Sequence, residues 1–311
     1  MSEITHSLVI PVYRNSASIP RLVQVLNELA LQLNRAFEVV FVVDGSPDDS
    51  YFQLKKELVN ISFSAQVLQH SRNFGSFAAI RSGMEAARGQ FISVMAADMQ
   101  EPAELTLEFY KALEDGVCDV VVGTRNSRED PFLSKMASSI FWGLYRRLVV
   151  KEMPEGGVDI FGCNRVFRDQ LLLLNESRSS LIALIFWLGF RRKVVSYDRV
   201  ARQEGVSGWT LSKKIDYMMD SIFAFTDYPV RALTSAGVAA TLLSLFLSIL
   251  VIAAKISGLV TVPGYAATML TILFFGGINI FGLGLVGTYA WRAYENTKQR
   301  PVSIVMKSEK F

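Results

Sequence analysis

Two residue types that carry much of enzyme chemistry are almost missing. His6 and His70 are the only imidazoles, and Cys118 and Cys163 the only thiols. The cysteines lack the spacing of a metal site, so a zinc framework is excluded and both are expected as free thiols in a reducing compartment. Two histidines far apart in the chain leave little for a mechanism that needs a catalytic imidazole. A surplus of charge is also lacking. Lys and Arg number 32 against 29 Asp and Glu, a net of +3, which gives no pointer to a nucleic-acid partner. The N-terminus has no basic stretch followed by an apolar core and cleavage site, so no secretory signal is expected. Internal repeats and low-complexity segments are absent as well.

The most informative gap is in the distribution of charge. Between Arg231 and Trp291 the only charged side chain is Lys255. Ala232–Ala254 and Ile256–Trp291 are therefore uncharged runs, each longer than the ~20 residues that cross ~30 Å of hydrocarbon. Two transmembrane helices are expected there. Lys213, Lys214 and Arg231 precede the first run, and Arg292, Lys298, Arg300, Lys307 and Lys310 follow the second. By the positive-inside rule both termini and the large preceding domain lie in the cytoplasm, joined by a short external hairpin.

Before the gap, apolar β-rich runs alternate with helical periodicity. Strands are expected at Ser7–Val12, Glu38–Val43, Ala65–His70, Phe91–Met95 and Asp119–Gly123. Helices are expected at Ser18–Leu33, Asp49–Leu58, Phe77–Ala87 and Pro102–Asp115. This order implies an α/β fold with a mostly parallel sheet covered by helices on both faces. Ligands of such sheets sit at the carboxyl ends of the strands, so the loops after Val12, Val43, Met95 and Gly123 are the ones to inspect. Beyond them, Phe132–Val150 and Ser207–Tyr228 read as basic amphipathic helices. That pattern suits a membrane interface and suits ordinary core packing equally.

Three clusters follow strand ends. Asp44-Gly45-Ser46 can hold a base or ribose, or can form an Asx-turn that caps the next helix. Ser71-Arg72-Asn73-Phe74-Gly75 offers amides and a cation to an anion at a helix N-terminus, and equally suits an ordinary loop. Ala96-Ala97-Asp98-Met99-Gln100-Glu101-Pro102 supplies a carboxylate able to help hold Mg²⁺ beside a diphosphate, or to cap the helix after Pro102.

Taken with the opening Val9-Ile10-Pro11-Val12-Tyr13, with Gly123-Thr124-Arg125 and with the two C-terminal apolar runs, these clusters resemble the family-2 inverting glycosyltransferases of GT-A (Rossmann-like) fold. The likeness extends to their polyprenyl-phosphate members, of the dolichol-phosphate mannose synthase and GtrB-like kind. It implies residues 1–130 as a nucleotide-sugar-binding core, 131–230 as an acceptor-side region with interfacial amphipathic helices, and 231–311 as a two-helix anchor. It implies that Pro11, Tyr13, Asp44 and Ala97 contact the nucleotide, that Asp98 and Gln100 hold Mg²⁺ or Mn²⁺ and the diphosphate, and that Arg202 and Ser207 lie near the donor phosphates. Arg125 and Arg128 would face the acceptor phosphate. Asp159 would serve catalysis, by orienting the acceptor phosphate or sugar hydroxyls or by joining the metal. The partners implied are a nucleotide-sugar donor such as UDP-glucose, undecaprenyl phosphate in the inner-membrane bilayer, further copies of the chain in a tetramer, and a flippase for the product. UDP-galactose, UDP-N-acetylglucosamine and GDP-mannose stay open as donors.

Three departures bear on that implication. The first carboxylate of the family's Asp-x-Asp is Ala96, the Asn-Glu expected after Tyr13 is Arg14-Asn15, and the Lys expected after Ser207 is Gly208. They leave room for a second reading, an inactive glycosyltransferase-like scaffold at the membrane. The shortage of histidine fits the active reading. A phosphate monoester is largely dianionic at neutral pH, with a second pKa near ~6, and needs little help from a base.

Overall fold

β1 (His6–Val12) and β2 (Phe37–Val43) are apolar along most of their length and buried along it, as central strands covered on both faces must be. They pair in parallel, Leu8 opposite Val39 and Val12 opposite Val43. β3 (Ser64–His70) adds in parallel beyond β2, and β4 (Phe91–Val94) beyond β1. Each crossover carries a helix: α1 (Ile19–Gln32), α2 (Ser50–Glu57), α3 (Ser76–Ala86) and α4 (Ala103–Glu114). α1 buries Ile19, Leu22, Val23, Leu26 and Leu29, a stripe at helical spacing that packs with Leu8, Ile10 and Phe41 of the sheet. Phe41 is fully buried there, and Phe41→Ala would cost about 3–5 kcal/mol.

This computed structural model describes residues 4–33, 36–125, 141–147, 149–154, 157–176, 180–199, 211–257 and 264–311. Through residue 125 the expected elements are found with ends moved by one or two residues. β5 (Val120–Arg125), β6 (Ile160–Asn164), α5 (Arg165–Leu173), α6 (Leu181–Trp187) and β7 (Arg192–Tyr197) follow. The sheet has eight strands in the order β7-β5-β6-β4-β1-β2-β3-β8, the last being β8 (Val305–Lys310). It is mixed rather than mostly parallel. β6 runs antiparallel to both β4 and β5, and β8 antiparallel to β3. The reversal at β6 has a consequence for chemistry, because it starts β6 at the edge where the parallel strands end.

The opposite edge is a structural anchor. Glu38 is fully buried at the start of β2. Its carboxylate accepts hydrogen bonds from the Ser7 hydroxyl (2.7 Å), the Gln66 amide (3.1 Å) and the Arg88 backbone N–H (2.6 Å), and pairs with the Arg88 guanidinium. A buried charge is tolerated only with such saturation.

The chain divides into two compact units, Met1–Tyr217 with Arg300–Phe311, and Met218–Gln299. β8 thus belongs to the sheet although two long helices precede it. Those helices, α8 (Tyr228–Ile256) and α9 (Tyr265–Thr297), follow α7 (Leu211–Phe225). Their apolar side chains are largely exposed, among them Phe246, Ile249, Ile280 and Phe281. Within the second unit Arg292 of α9 pairs with Asp220 at 2.6 Å and lies over the ring of Phe223. Among the described residues one segment, Phe274–Thr297, is long and apolar enough to cross a membrane by length and composition. Most of the expected amphipathic helix Phe132–Val150 lies outside the described residues. Residues 141–147 are helical, and Tyr145 is fully buried, its ring 5.9 Å from that of Tyr217.

Candidate active site

The carboxyl ends of β1, β2, β4, β5 and β7 and the start of β6 share one edge of the sheet. Strand order therefore sets the order of the candidate residues. Tyr197 and Arg199 at β7 are followed by Arg125 at β5, Asp159 before β6, Asp98 after β4, Tyr13 after β1 and Asp44 after β2.

At one end of this row Asp159 is held on two sides. Arg125 donates to both of its oxygens, Nη2 to Oδ1 at 2.7 Å and Nε to Oδ2, in the bidentate geometry that suits guanidinium and carboxylate. The Tyr197 hydroxyl donates to Oδ2 at 3.0 Å. The pairing of Arg125 with Tyr197 across β5 and β7 brings the two donors together. Burial above all, then the Asp159 and Glu101 carboxylates, raises the Tyr197 phenol well above its ordinary range, so it remains a donor.

In the middle stands the loop after β4. Its backbone is fixed by Met95 N–H to the Val9 carbonyl (3.1 Å) and by the Ser18 hydroxyl near the Ala97 carbonyl (3.1 Å). Met99 adopts a positive φ of 51°, which turns the chain sharply between Asp98 and Gln100. Gln100 is buried and accepts from the Arg199 guanidinium. Glu101 is 5% exposed, and its carboxyl is pushed up to about 7 by burial and then by the Asp98 charge. The Arg199 cation opposes that shift and Asp159 adds to it. The Asp98, Asp159 and Arg199 charges thus all reach the Glu101 carboxyl.

At the other end, the turns after β1 and β2 are stitched together. Arg14 has a positive φ of 57°, and its N–H donates to Ser46 Oγ at 2.7 Å. Asp48 accepts from the Ser46 and Ser50 hydroxyls and from the Ser16 and Ser50 amides. Burial opposes ionisation there, but these hydrogen bonds outweigh it and hold the carboxyl far below its usual range. Pro11 lies within β1, and Tyr13 is 41% exposed beside the Arg14 guanidinium, 5.4 Å from its ring centre.

Asp44 is buried, and its carboxylate points into the Ser71–Gly75 loop. Oδ1 accepts from Phe74 N–H (2.8 Å) and lies 2.8 Å from His70 Nδ1, and Oδ2 accepts from Gly75 N–H (2.7 Å). Two of the amides expected to meet an anion are therefore engaged by Asp44. Gly45, at φ 57°, lets the β2 turn lie directly on the backbone of Arg72 and Asn73, where a Cβ would collide.

Arg128, Arg202 and Ser207 lie outside the described residues, as does Gly208. Glu101, Tyr197 and Arg199 enter the site without having been singled out. Glu101 was visible in the Asp98 motif, and Arg199 stands two residues past a strand end, but only the sheet order shows that they meet.

The family profile described as Glycosyl transferase family 2 matches residues 7–173. The Bacillus subtilis protein CsbB, named as a glycosyltransferase, is 32% identical over 302 residues, covering 97% of this chain and 91% of that protein. The undecaprenyl-phosphate 4-deoxy-4-formamido-L-arabinose transferase of Yersinia pestis is 30% identical over 303 residues, covering 97% and 92%. The solved mannosyl-3-phosphoglycerate synthase of Rubrobacter xylanophilus aligns with a TM-score of 0.48 at 13% identity over 75% of each chain, a likeness too slight to bear on substrate.

Proposed function

The chain belongs to glycosyl transferase family 2, with the α/β GT-A fold and a mixed sheet, and from that footing we propose that it moves a sugar from a nucleotide sugar to a polyprenyl phosphate at a membrane surface. The observation that carries the acceptor class is the extent of the likeness to the Yersinia transferase. It runs through nearly the whole chain, the long apolar helices included. A lipid-borne acceptor gives those helices a role in bringing the two substrates together.

The geometry supports the chemistry. An acceptor phosphate oxygen attacks the anomeric carbon, a C–O bond forms, and the bond to the nucleoside diphosphate breaks with its electron pair leaving on the diphosphate. The nucleophile arrives ionised, so the main tasks are positioning and charge neutralisation. The Arg125–Asp159–Tyr197 cluster, joined by three hydrogen bonds, is placed to orient the acceptor. Arg199 sits beside Gln100 and the Asp98 loop, on the side expected for the diphosphate. Arg128, Arg202 and Ser207 keep their proposed phosphate roles on the strength of the motifs alone.

The residues around Asp98 fit a hard divalent cation. Glu101 Oε2 is buried without a hydrogen-bond partner, and its carboxyl is raised by burial and then by the Asp98 charge, a strain that a nearby cation would relieve. No three His, Cys, Asp or Glu side chains gather as a metal cluster among the described residues. Mg²⁺ or Mn²⁺ would therefore take most ligands from the diphosphate and water, with Asp98 and Glu101 the protein carboxylates and Gln100 beside them. When bound, it would supply neutralisation of the leaving diphosphate. Asp159, already bonded by Arg125 and Tyr197, is assigned to the acceptor side rather than to the metal.

Connectivity supports an even number of membrane crossings. The chain leaves the sheet-bearing unit before α8 and rejoins it at β8. Two crossings, by α8 and α9, with the sheet-bearing unit cytoplasmic, satisfy this together with the positive-inside pattern. The donor is proposed as a UDP-hexose. A thermal-shift screen of the full chain in detergent tests the donor half: UDP- and GDP-sugars, each with and without Mg²⁺ or Mn²⁺. Stabilisation by one nucleotide class, enlarged by metal, is expected. No stabilisation by any of them favours the inactive scaffold.

A further inference from the structure

Behind the proposed nucleotide pocket runs a buried chain of polar contacts that no catalytic role explains. His70 Nδ1 lies 2.8 Å from Asp44 Oδ1, and His70 Nε2 lies 2.9 Å from the Ser82 hydroxyl of α3. Ser82 Oγ lies 2.6 Å from Ser303 Oγ, on the segment leading into β8. Asp44, His70 and Ser82 are each under 5% exposed. At the front end the same carboxylate takes the N–H groups of Phe74 and Gly75, while the Asn73 side chain donates to the Asp44 carbonyl at 3.2 Å. Ser71 N–H donates to the Ile304 carbonyl at 3.0 Å, next to the point where the β3–β8 register shifts between Gln69 and His70. Thus the segment after α9 reaches the Ser71–Gly75 loop directly through its backbone, and indirectly through Ser303, Ser82, His70 and Asp44.

Counting protons shows what Ser303 adds. A neutral imidazole that donates from Nδ1 to a carboxylate must accept at Nε2. Ser82 has a single proton and two acceptors in reach, His70 Nε2 at 2.9 Å and the Ala78 carbonyl at 3.1 Å; when the proton goes to His70 the Ser82 oxygen is left to accept. Ser303 is the hydroxyl placed to supply that donor. Without it the His70 ring loses part of what fixes its angle, and Asp44 loses part of what fixes the loop.

We propose that Ser303, acting through Ser82 and His70, is a positioning residue that holds Asp44 and the Ser71–Gly75 loop in the form that receives the nucleotide. The chain beyond the long helices thereby becomes part of the donor site. The proposal rests on the transferase reading for its kinetic consequence, but its structural consequence can be read independently.

The test uses the full chain in lipid nanodiscs and four variants, Ser303→Ala, Ser303→Thr, Ser82→Ala and Ser308→Ala. Ser308 is exposed in β8 and serves as the control. Hydrogen exchange at the amides of Phe74 and Gly75 should quicken in Ser303→Ala and Ser82→Ala, while Val305–Lys310 stays protected. Donor KM should rise about fivefold, the size of one neutral hydrogen bond, with kcat within about twofold. Ser303→Thr should restore both readouts, and Ser308→Ala should leave both at the wild-type value. Unchanged exchange in Ser303→Ala would overturn the proposal. So would exchange that quickens equally in β8, since that marks general loosening. If the wild type transfers no sugar at all, the transferase reading fails and the exchange result still decides the role of Ser303.

Discussion

At the amino edge of the sheet Glu38 is fully buried, with Ser7, Gln66 and Arg88 around its carboxylate. At the carboxyl edge Glu101 is almost as buried, yet one oxygen has no hydrogen-bond partner, and its neighbours include two further carboxylates. The first arrangement satisfies a charge; the second leaves one unsatisfied. A buried polar group without a partner costs about 1–3 kcal/mol, a cost that a bound cation would lower. The contrast separates the edge that holds the domain together from the edge arranged for an incoming group. It can be broken by experiment at either end.

The largest effect is expected from Asp159→Asn. It removes one charge from the site and weakens the Arg125 pair, so transfer should fall at least about 100-fold while the folded state persists. Turnover by purified variant, with circular dichroism as a folding check, measures this. Near-normal turnover would remove Asp159 from the mechanism.

Glu38→Ala should do the reverse. It removes the buried acceptor of the Ser7 hydroxyl and of the Arg88 backbone N–H, while Gln66 keeps its bond to the Ala86 carbonyl and the half-exposed Arg88 guanidinium turns to water, a loss on the order of 3 kcal/mol. The melting temperature should drop by about 10 °C, with specific activity per folded molecule unchanged. Lost activity at retained stability would show that the two edges are not separate in function.

Glu101→Gln gives a smaller, pH-dependent effect. The Glu101 carboxyl is raised to about 7 in the fold, so the folded state holds a proton that the unfolded chain releases. Stability from this group is intact below about pH 4.5 and declines as pH rises towards 7, by about 3 kcal/mol in all. In metal-free buffer the Gln variant should melt with wild type near pH 5 and above it at pH 8. Parallel melting curves across that range would mean that Glu101 is not strained. Lys55→Ala marks the bottom of the scale. Its pair with Glu309 at 2.7 Å is 41% and 33% exposed, and losing it should cost under about 1 kcal/mol by chemical denaturation.

These comparisons also show where the sequence was readable. β1 and β2 announced themselves because a strand buried on both faces is a run of Val, Ile and Phe. The loops after β1, β2 and β4 followed from the rule that such strands end at the ligand. β8 did not announce itself. Val305–Lys310 alternates Lys, Ser and Glu and is mostly exposed, so its place depends on backbone pairing with β3, more than 230 residues earlier. β6 was hidden for a related reason. It is five residues long and interrupted by Gly162, where an added Cβ would press on Phe109 at 3.2 Å. Because β6 and β8 were unread, the sheet was expected to be mostly parallel, and the link from the C-terminal segment to His70 was out of reach. The Asp98 cluster was legible as a motif. The Glu101, Arg199 and Tyr197 side chains around it were not, since β7 and the β4 loop meet only through the order of the sheet.

The central claim is that this transferase places its sugar on a lipid phosphate. The direct measurement offers radiolabelled nucleotide sugars to the full-length protein in membranes containing undecaprenyl phosphate, then counts label in the organic phase. The expected result is lipid-linked label that needs divalent metal, disappears in Asp159→Asn and is released by mild acid, as a sugar phosphodiester would be. Label confined to water-soluble products, or absent with every donor, would contradict it.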